Sequence, residues 1–526
     1  MTTRRHLLHA LPAALLAPPT LLWSDGAIGQ PRRRDELTVA FPRPVITLDG
    51  NYVDLRENDI LNLLTDDALF VLNPATGQPQ PLVAAEMRLE GPASVQIRLR
   101  PDVRFHDGSL LTADDVAYSL NHAVDPKARH THQARLSRWL KGAAASAPDT
   151  VLLTLHGTYA MVQHDLAMYV KLRRKGTYDK PGAPDNLDPQ AQARQLNGTG
   201  PYRVVEFRPG ERIRLQRFDG YGSRGPKAGS PWREITVRII PDWSTQAAEV
   251  MSGGVHWTFG MPQEIAEGAA ATKRARLLTG PSMRVFYLSL DATGKSAGAE
   301  PFTKVDVRRA LNHAINREGI VKNLIGGTGK VIHAACDPVQ FGCEAKDVPR
   351  YAYDSARAKA LLAQAGYPNG LDIELWASRD RPIAEVLVAN LRMAGIRAQL
   401  RYVPGPTLAQ ARREGKVAVE MASSGSFGIP DVGALLPDRL GLGSNRNYSG
   451  DEELGKLIGS AQASFDPLER RRRFAAALKR IGEQAYWVPL YVDSQNFLLH
   501  PDLQFTQPAD GMPRLWSARW RDAAPA

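Results

Sequence analysis

The segment between residues 371 and 421 alternates strand and helix patterns, and this alternation constrains the fold more than any other feature. The strand patterns, which are short and rich in apolar residues, occupy residues 371–376, 396–402 and 417–421. The helical patterns occupy residues 383–394, closed by Gly395, and residues 407–414. This β-α-β-α-β order predicts a parallel sheet with helices on its faces.

The first half of the mature chain is richer in strands. Apolar residues run together or alternate with polar ones at residues 37–41, 95–100, 202–207, 213–217 and 235–239. The turn residues Pro209 and Gly210 predict a hairpin between the third and fourth of these strands. Residues 125–150 and 171–195 are polar and are expected to be rich in loops.

Three helix starts can be read from capping residues. Thr112 and Asp115 have the spacing of a capping box, which predicts a helix from residue 113. Asp354 is expected to cap a helix that runs to Ala365. Asp466 followed by a proline predicts a long helix that ends near residue 484.

Length and composition exclude several classes of protein. The chain has 526 residues, of which 43% are hydrophobic and 23% charged, so we expect two or three folded domains and no extended disorder. The net charge is +11, but the basic residues are dispersed and no nucleic-acid-binding motif is present. We therefore expect no nucleic acid partner.

Residues 1–29 have the features of an export signal. Arg4 and Arg5 precede a moderately apolar stretch that prolines interrupt, and the run TRRHLL at residues 3–8 is typical of a twin-arginine signal. An ordinary Sec signal is the alternative, and cleavage before Gln30 fits either route. We expect an exported, soluble, periplasmic protein without a membrane span or a lipid anchor.

The chain contains only two cysteines, Cys336 and Cys343, in a loop with a proline and a glycine between them. In an oxidising compartment we expect a local disulfide, whereas in the cytosol a pair of free thiols would be the default. Two thiols without further ligands at suitable spacing do not make a metal site. We expect no metal and no cofactor.

Five motifs follow one another in an order that is similar to one known family. They are IRLRPDVRFHDG at 97–108 with LTADDV at 111–116, NGTGPY at 197–202, PFTKVDVRRAL at 301–311, AINRE at 314–318, and YDSARAKALLAQAGYPNG at 353–370. Together they resemble the family 5 solute-binding proteins of bacterial ABC importers, which take up peptides, nickel or glutathione. The motif residues themselves are mostly turn and core residues.

The resemblance implies an α/β fold with two lobes, the type II periplasmic-binding-protein fold of cluster C, with an extra inserted subdomain. Lobe I would comprise residues 30–60, 190–278 and 485–526, with the inserted subdomain at 61–189 and lobe II at 279–484. The lobes would close on a small-molecule or peptide-like ligand by a hinge motion. The closed protein, a monomer, would deliver that ligand to an ABC permease in the inner membrane.

The resemblance also points to residues that touch the ligand. The peptide binders of the family carry an aspartate that pairs with the peptide's ammonium group, in a loop that corresponds to residues 425–432. Here Phe427 stands near the usual tryptophan, Gly428 lies at the position of that aspartate, and Asp431 is the remaining acid. We therefore expect free dipeptides to bind weakly, and Gly428→Asp to improve their binding.

Four other residues complete the expected ligand site. Arg446 and Tyr448 lie where the family often reaches the cleft, and an arginine there favours a carboxylate or a phosphate. Tyr491 is expected near the crossing between lobes. Trp257 follows His256, which stands where the family has an acid.

We expect binding without catalysis. The sequence lacks the G-x-S-x-G, H-E-x-x-H, Walker A and G-x-G-x-x-G motifs. Two alternatives stay open: a secreted hydrolase with a dispersed active site, and an exported chaperone or receptor for an apolar cargo. A hydrolase would turn its ligand over, and a chaperone would show a broad apolar cleft.

Overall fold

The computed structural model describes residues 34–179, 196–221, 225–325, 329–426, 428–508 and 510–521. The expected export signal at residues 1–29 and the residue Phe427 lie outside these ranges. Residues 35–526 form one compact unit. Among the described residues, no helix combines the length and the apolar character that crossing a membrane requires.

The strands are spread over the whole chain. In the first half they are β1 (Glu36–Phe41), β2 (Phe70–Leu72), β3 (Pro79–Pro81), β4 (Ala84–Gly91), β5 (Ser94–Leu99), β6 (Leu140–Ala147), β7 (Thr150–Leu155), β8 (Tyr202–Arg208), β9 (Arg212–Arg217) and β10 (Glu234–Ile239). In the second half they are β11 (Trp257–Phe259), β12 (Arg276–Leu290), β13 (Lys330–Val331), β14 (Leu371–Ala377), β15 (Ile396–Tyr402), β16 (Val419–Gly425), β17 (Trp487–Leu499), β18 (Leu503–Gln504) and β19 (Arg519–Trp520).

Among the described residues, more of the α-helices lie in the second half of the chain than in the first. The first six are α1 (Arg56–Thr65), α2 (Ala113–Val124), α3 (Gln133–Leu136), α4 (Val162–Met168), α5 (Trp243–Ser252) and α6 (Gln263–Ala271). The others are α7 (Val305–Ala314), α8 (Arg317–Ile320), α9 (Ser355–Gln364), α10 (Arg381–Met393), α11 (Gly405–Arg413), α12 (Leu436–Leu440), α13 (Glu452–Gln462) and α14 (Pro467–Glu483).

One large sheet runs through the molecule in the order β15-β14-β16-β12-β17-β11-β1-β10-β9-β8, with β13 paired to β17. β14 pairs in parallel with β15 and β16, which confirms the parallel sheet expected from the β-α-β-α-β pattern. We call the part built on β1 and β8–β11 lobe I, and the part built on β14–β16 lobe II. A separate sheet in the order β4-β5-β7-β6 packs beside lobe I.

The two longest strands, β12 and β17, belong to both lobes. Their first ladder joins residues 276–281 to 494–499, and their second joins residues 285–289 to 487–492. The register shifts between Pro281 and Val285, where Met283 has a positive φ of 51°. A second register shift follows between Phe286 and Tyr287, so the paired strands that connect the lobes are irregular at two places.

The apolar core is divided in the same way. Lobe I and the four-stranded sheet share one large cluster of buried residues. The sheet of lobe II carries a cluster on each face: α7, α9 and α10 cover the face of Phe286, and α12–α14 cover the face of Tyr287. This second face contains the recess described below.

Capping chemistry explains the helix starts that were expected. The hydroxyl of Thr112 accepts from the backbone N–H of Asp115, whose carboxylate in turn accepts from the backbone N–H of Thr112. The carboxylates of Asp354 and Asp466 also accept backbone N–H groups, at the starts of α9 and α14. All three predicted helix starts are confirmed.

The expectation that residues 125–150 are rich in loops was wrong for much of the segment. This segment contains α3 and the edge strand β6, which pairs with β7 over most of its length. The sequence of β6, LKGAAASA, consists largely of small residues and has no apolar alternation. Its conformation depends on the partner strand, which a local pattern does not reveal. In the other segment expected to be rich in loops, residues 171–179 contain no helix or strand, and residues 180–195 lie outside the described residues.

Candidate ligand-binding site

A recess on the lobe II sheet opens beside two stacked aromatic rings. The rings of Tyr287 on β12 and Trp487 on β17 lie 3.6 Å apart with planes within 9° of parallel, and both line the recess. The hydroxyl of Tyr287 is hydrogen-bonded to the hydroxyl of Ser424 at 2.9 Å, which fixes the ring. The space not filled by protein atoms, counted together with the open solvent at the mouth of the recess, is about 270 Å³. The pair forms a rigid apolar wall in an otherwise polar recess.

Three arginines and one glutamate supply the charge of the recess. Arg412 donates two hydrogen bonds to the carboxylate of Glu420, at 2.7 and 2.9 Å, so this pair is neutral. Burial lowers the pKa of Arg412, but the hydrogen bonds and charge of Glu420 outweigh it and hold the pKa above its usual value. The excess positive charge therefore comes from Arg439 and Arg446, which also line the recess.

The guanidinium groups of Arg439 and Arg446 differ from that of Arg412 in how they are partnered. Within the described parts of the chain, neither group has a hydrogen bond or an ion pair. The positive charge of Arg439, followed by burial, lowers the pKa of Arg446. Two guanidiniums that repel each other in a partly enclosed space favour the binding of an anion, because each can donate two charge-assisted hydrogen bonds to it.

A hydrogen-bonded loop sets the position of Arg446. The hydroxyl of Ser444 donates to the carbonyl of Asp438 at 2.7 Å and accepts from the backbone N–H of Arg446 at 3.1 Å. The side-chain amide of Asn447 donates to the carbonyls of Leu440 and Gly441. The loop after α12 is thus tied back to the helix that carries Arg439.

Lobe I faces the recess with an acidic residue. Asp54, just before α1, lies within electrostatic reach of Arg284, Arg446 and Arg439 of lobe II. Arg284 and Arg379 both donate to the hydroxyl of Ser423, at 3.1 and 2.7 Å. Burial, together with the charge of Arg379, lowers the pKa of Arg284 to about 10. The space between the lobes is therefore rich in arginine.

The structure brings together only two of the residues expected from the sequence. Arg446 and Tyr448 both line the recess. Arg439 and Tyr287 also line the recess and were not anticipated from the sequence, because they come from a short helix and a long strand that only the tertiary fold unites. The proximity of Arg439 to Arg446 in the sequence was the one local signal for Arg439.

Three of the expected residues have structural roles instead. The carboxylate of Asp431 pairs with Arg470 at 2.9 Å and accepts the backbone N–H of Gly433, while burial raises its pKa. Tyr491 is buried and stacks on Phe286. Trp257 is fully buried among aromatic rings, those of Phe259, Phe497 and Phe505. None of the three lines the recess, and their contact with a ligand stays a prediction.

Gly428 lies against the C-terminal tail. Its φ is +80°, a conformation that glycine adopts without strain. A Cβ atom at this position would come within 3.4 Å of the Met512 side chain and 3.9 Å of the Asp510 carboxyl carbon. A side chain at Gly428 would therefore meet the tail of the protein first.

The two cysteines brace this region. Cys336 and Cys343 form a disulfide with their Cα atoms 5.8 Å apart. Within the loop that they close, Phe341 exchanges backbone hydrogen bonds with Pro430 and Val432. The disulfide loop therefore holds the segment that follows Gly428. No group of histidine, cysteine, aspartate and glutamate side chains suited to a metal ion occurs in the described ranges.

Comparison with known proteins gives three concordant results. The family described as bacterial extracellular solute-binding proteins, family 5 Middle, matches residues 78–441. The glutathione-binding protein GsiB of Escherichia coli (strain K12) is 29% identical over 441 residues, which cover 78% of this chain and 81% of that relative.

Two solved structures show the likeness in three dimensions. The periplasmic binding protein DppA from Helicobacter pylori, in complex with the peptide STSA, matches with a TM-score of 0.80 and 21% identity over 93% of this chain and 98% of its own. AgaA of A. tumefaciens R10, in complex with agropinic acid, matches with a TM-score of 0.77 and 22% identity over 93% and 99%. The expected two-lobed binding-protein fold is thereby confirmed.

Proposed function

Because this chain belongs to family 5 of the bacterial extracellular solute-binding proteins and is the substrate-binding component of an ABC importer, we propose that its recess captures the acidic group of a small peptide-like solute. Arg439 and Arg446 bind the carboxylate. The stacked rings of Tyr287 and Trp487 support the apolar part of the ligand.

The observation that carries this proposal is the pair of arginines without acceptors. Other arginines of lobe II are neutralised: Arg412 in the recess by Glu420, and Arg470 by Asp431. Among the described residues, neither guanidinium has a carboxylate within hydrogen-bonding distance, and a ligand carboxylate that binds both relieves their mutual repulsion. A cation would add to the repulsion.

The named ligands of relatives agree with an acidic solute. GsiB is named for glutathione, DppA was solved with the peptide STSA, and AgaA with agropinic acid. Each of these molecules carries a carboxyl group. A ligand of this class, held by its acidic end, needs no aspartate at Gly428 to bind its amino group.

Several finer features belong to the same proposal. The protein binds its solute without chemical change, acts as a monomer in the periplasm and reaches it by twin-arginine export. Lobe I comprises residues 30–60, 190–278 and 485–526, the inserted subdomain residues 61–189, and lobe II residues 279–484. The register break between Pro281 and Val285 is the hinge at which the lobes close before delivery to the permease.

The test is calorimetric titration of the purified protein with glutathione, with the peptide Ser-Thr-Ser-Ala and with agropinic acid. We expect at least one acid to bind, without product formation, and its amide or ester to bind about tenfold or more weakly. If none of the three acids binds, or if the neutral derivatives bind equally well, the proposal is contradicted. Appearance of product in catalytic amounts would support the hydrolase alternative.

A further inference from the structure

The acid closest in sequence to the recess arginines does not neutralise them. Asp438 precedes Arg439 in α12, and it lies within electrostatic reach of both Arg439 and Arg446. Its carboxylate nevertheless points away from them into an ion pair with two other arginines. The recess keeps its positive charge because Asp438 is engaged elsewhere.

The two arginines that engage Asp438 come from the other lobe's subdomain. Arg135 in α3 donates to one carboxylate oxygen of Asp438 at 2.9 Å, and Arg138 donates to the other. The same side chains donate to the backbone carbonyls of Ala434 and Pro437, at 3.1 and 3.3 Å. The subdomain thus pairs with the Asp438 carboxylate and also hydrogen-bonds to the backbone of the segment around α12.

Arg135 is itself fixed. It is buried and pairs with Asp165 at 3.0 Å, and its guanidinium lies 4.7 Å from the centre of the Tyr169 ring. Asp165 also accepts from the indole of Trp139 at 2.9 Å. This network lies within the subdomain, so it moves with the subdomain when the lobes separate.

We propose that this structure is the closed state and that Asp438 is a positioning residue in it: sequestration of Asp438 by Arg135 and Arg138 frees Arg439 and Arg446 to bind an acidic ligand. In the open state, Arg135 and Arg138 withdraw and the carboxylate of Asp438 pairs with the recess arginines, in competition with the ligand. This inference rests on the proposed anion-binding role of the recess. Under this proposal, closure of the lobes raises the affinity for the ligand, and ligand binding favours closure.

The alternative is an ordinary latch between lobes, in which the ion pair only stabilises closure. The two accounts differ in what happens when Asp438 loses its charge. A latch is broken equally by Arg138→Gln and by Asp438→Asn, so both variants would weaken binding. Sequestration predicts that only Arg138→Gln weakens binding, because Asp438→Asn also removes the competing carboxylate.

The experiment is titration of wild type, Arg138→Gln, Asp438→Asn and the double variant with glutathione, Ser-Thr-Ser-Ala and agropinic acid. Arg138 is partly exposed, so its replacement is compatible with folding, and Arg135→Lys serves as a second variant that keeps the charge beside Asp165. We expect Arg138→Gln to lower the affinity about fivefold or more, a coupling of ordinary size, and the double variant to bind within about twofold of wild type.

The possible results distinguish a failure of the sequestration from a failure of acid binding by the recess. If Asp438→Asn binds as weakly as Arg138→Gln, if the double variant is not rescued, or if neither Arg138→Gln nor Arg135→Lys weakens binding, the sequestration is overturned while acid binding by the recess stands. If wild type binds none of the three acids, the proposed function fails and the sequestration fails with it.

Discussion

The ring of Tyr287 lies flat on the ring of Trp487, with centroids 3.6 Å apart, although the two residues are separated by 200 positions in the chain. The stack joins the two strands that run through both lobes, and it forms the wall of the arginine-lined recess. The same two side chains therefore line the proposed ligand site and join the strands that connect the lobes.

Trp487 should report ligand binding directly. An acid bound between the arginines and the stack changes the surroundings of the indole, so intrinsic fluorescence should shift on titration with the acid that binds. Trp487→Phe keeps the ring stack and should abolish the change. Trp243→Phe, in α5 of lobe I and outside the recess lining, is the matched control and should retain it. An undiminished signal in Trp487→Phe would place the ligand elsewhere.

Gly428→Asp tests whether an aspartate at this position would bind the ammonium group of a peptide, as the corresponding aspartate does in the family's peptide binders. The left-handed backbone at Gly428 costs a non-glycine residue about 1 kcal/mol or more, and the new side chain would also meet Met512. We expect lower stability to thermal denaturation and no gain in affinity for a free dipeptide.

Gly443→Asp is the control for the backbone cost, because Gly443 has a φ of +75° with open space around it. It should destabilise less than Gly428→Asp. A clear gain in dipeptide affinity on Gly428→Asp would instead restore the expectation drawn from the sequence.

The fold could be predicted from the sequence further than the site could. Capping residues such as Thr112 and Asp466, and the alternation around β14–β16, act over short distances and are visible in the sequence. Strand β6 was missed because its small residues become a strand only by pairing with β7. Capping residues and short-range alternation could be identified in the sequence, whereas the long-range pairing of strands could not.

The site illustrates the same limit. Asp431 and Trp257 were expected at the ligand because of their types and approximate positions, but Arg470 neutralises the first and aromatic rings bury the second. Arg439 was missed because its importance lies in lacking an acceptor. Whether a charge is paired depends on residues that can lie far away in the chain, as Arg135 does from Asp438.

Lys227 is a buried cation on which lobe I depends. Its ammonium group donates to the Asp67 carboxylate at 2.7 Å and to the Asp66 carbonyl at 2.8 Å, and the side chain is 1% exposed. Lys227→Met leaves Asp67 buried without its counter-charge, which should lower the free energy of unfolding by about 3–5 kcal/mol.

Urea denaturation of both variants checks this prediction. Lys346→Met, at an exposed position, should change the free energy of unfolding by less than about 0.5 kcal/mol. Equal unfolding midpoints for the two variants would contradict the importance of the buried pair.

Asp59 should make stability depend on pH. Burial raises its pKa to about 7, with Lys171 and Arg56 opposing the shift and Asp54 and Glu57 adding to it. Between about pH 4, the ordinary value, and pH 7 the folded protein retains a proton that the unfolded chain has lost. This residue's contribution to the free energy of unfolding therefore falls as the pH rises through that window.

The comparison of wild type with Asp59→Asn isolates this contribution. Relative to wild type, the variant should gain stability as the pH is raised from 4 to 7, whereas the exposed Asp347→Asn should track wild type throughout. Thermal denaturation at a series of pH values is the measurement. A constant difference between Asp59→Asn and wild type would show that the carboxyl is not protonated in the folded state.

The most direct test of the central claim is the affinity of Arg439→Gln and Arg446→Gln for the acid that wild type binds, measured by calorimetry. Arg392→Gln, at an exposed position in α10, removes the same charge far from the recess and is the control. We predict that each recess variant loses about tenfold or more in affinity, equal to about 1.4 kcal/mol or more, while the control binds like wild type. Binding by Arg439→Gln and Arg446→Gln at wild-type affinity would contradict the assignment of the recess as the ligand site.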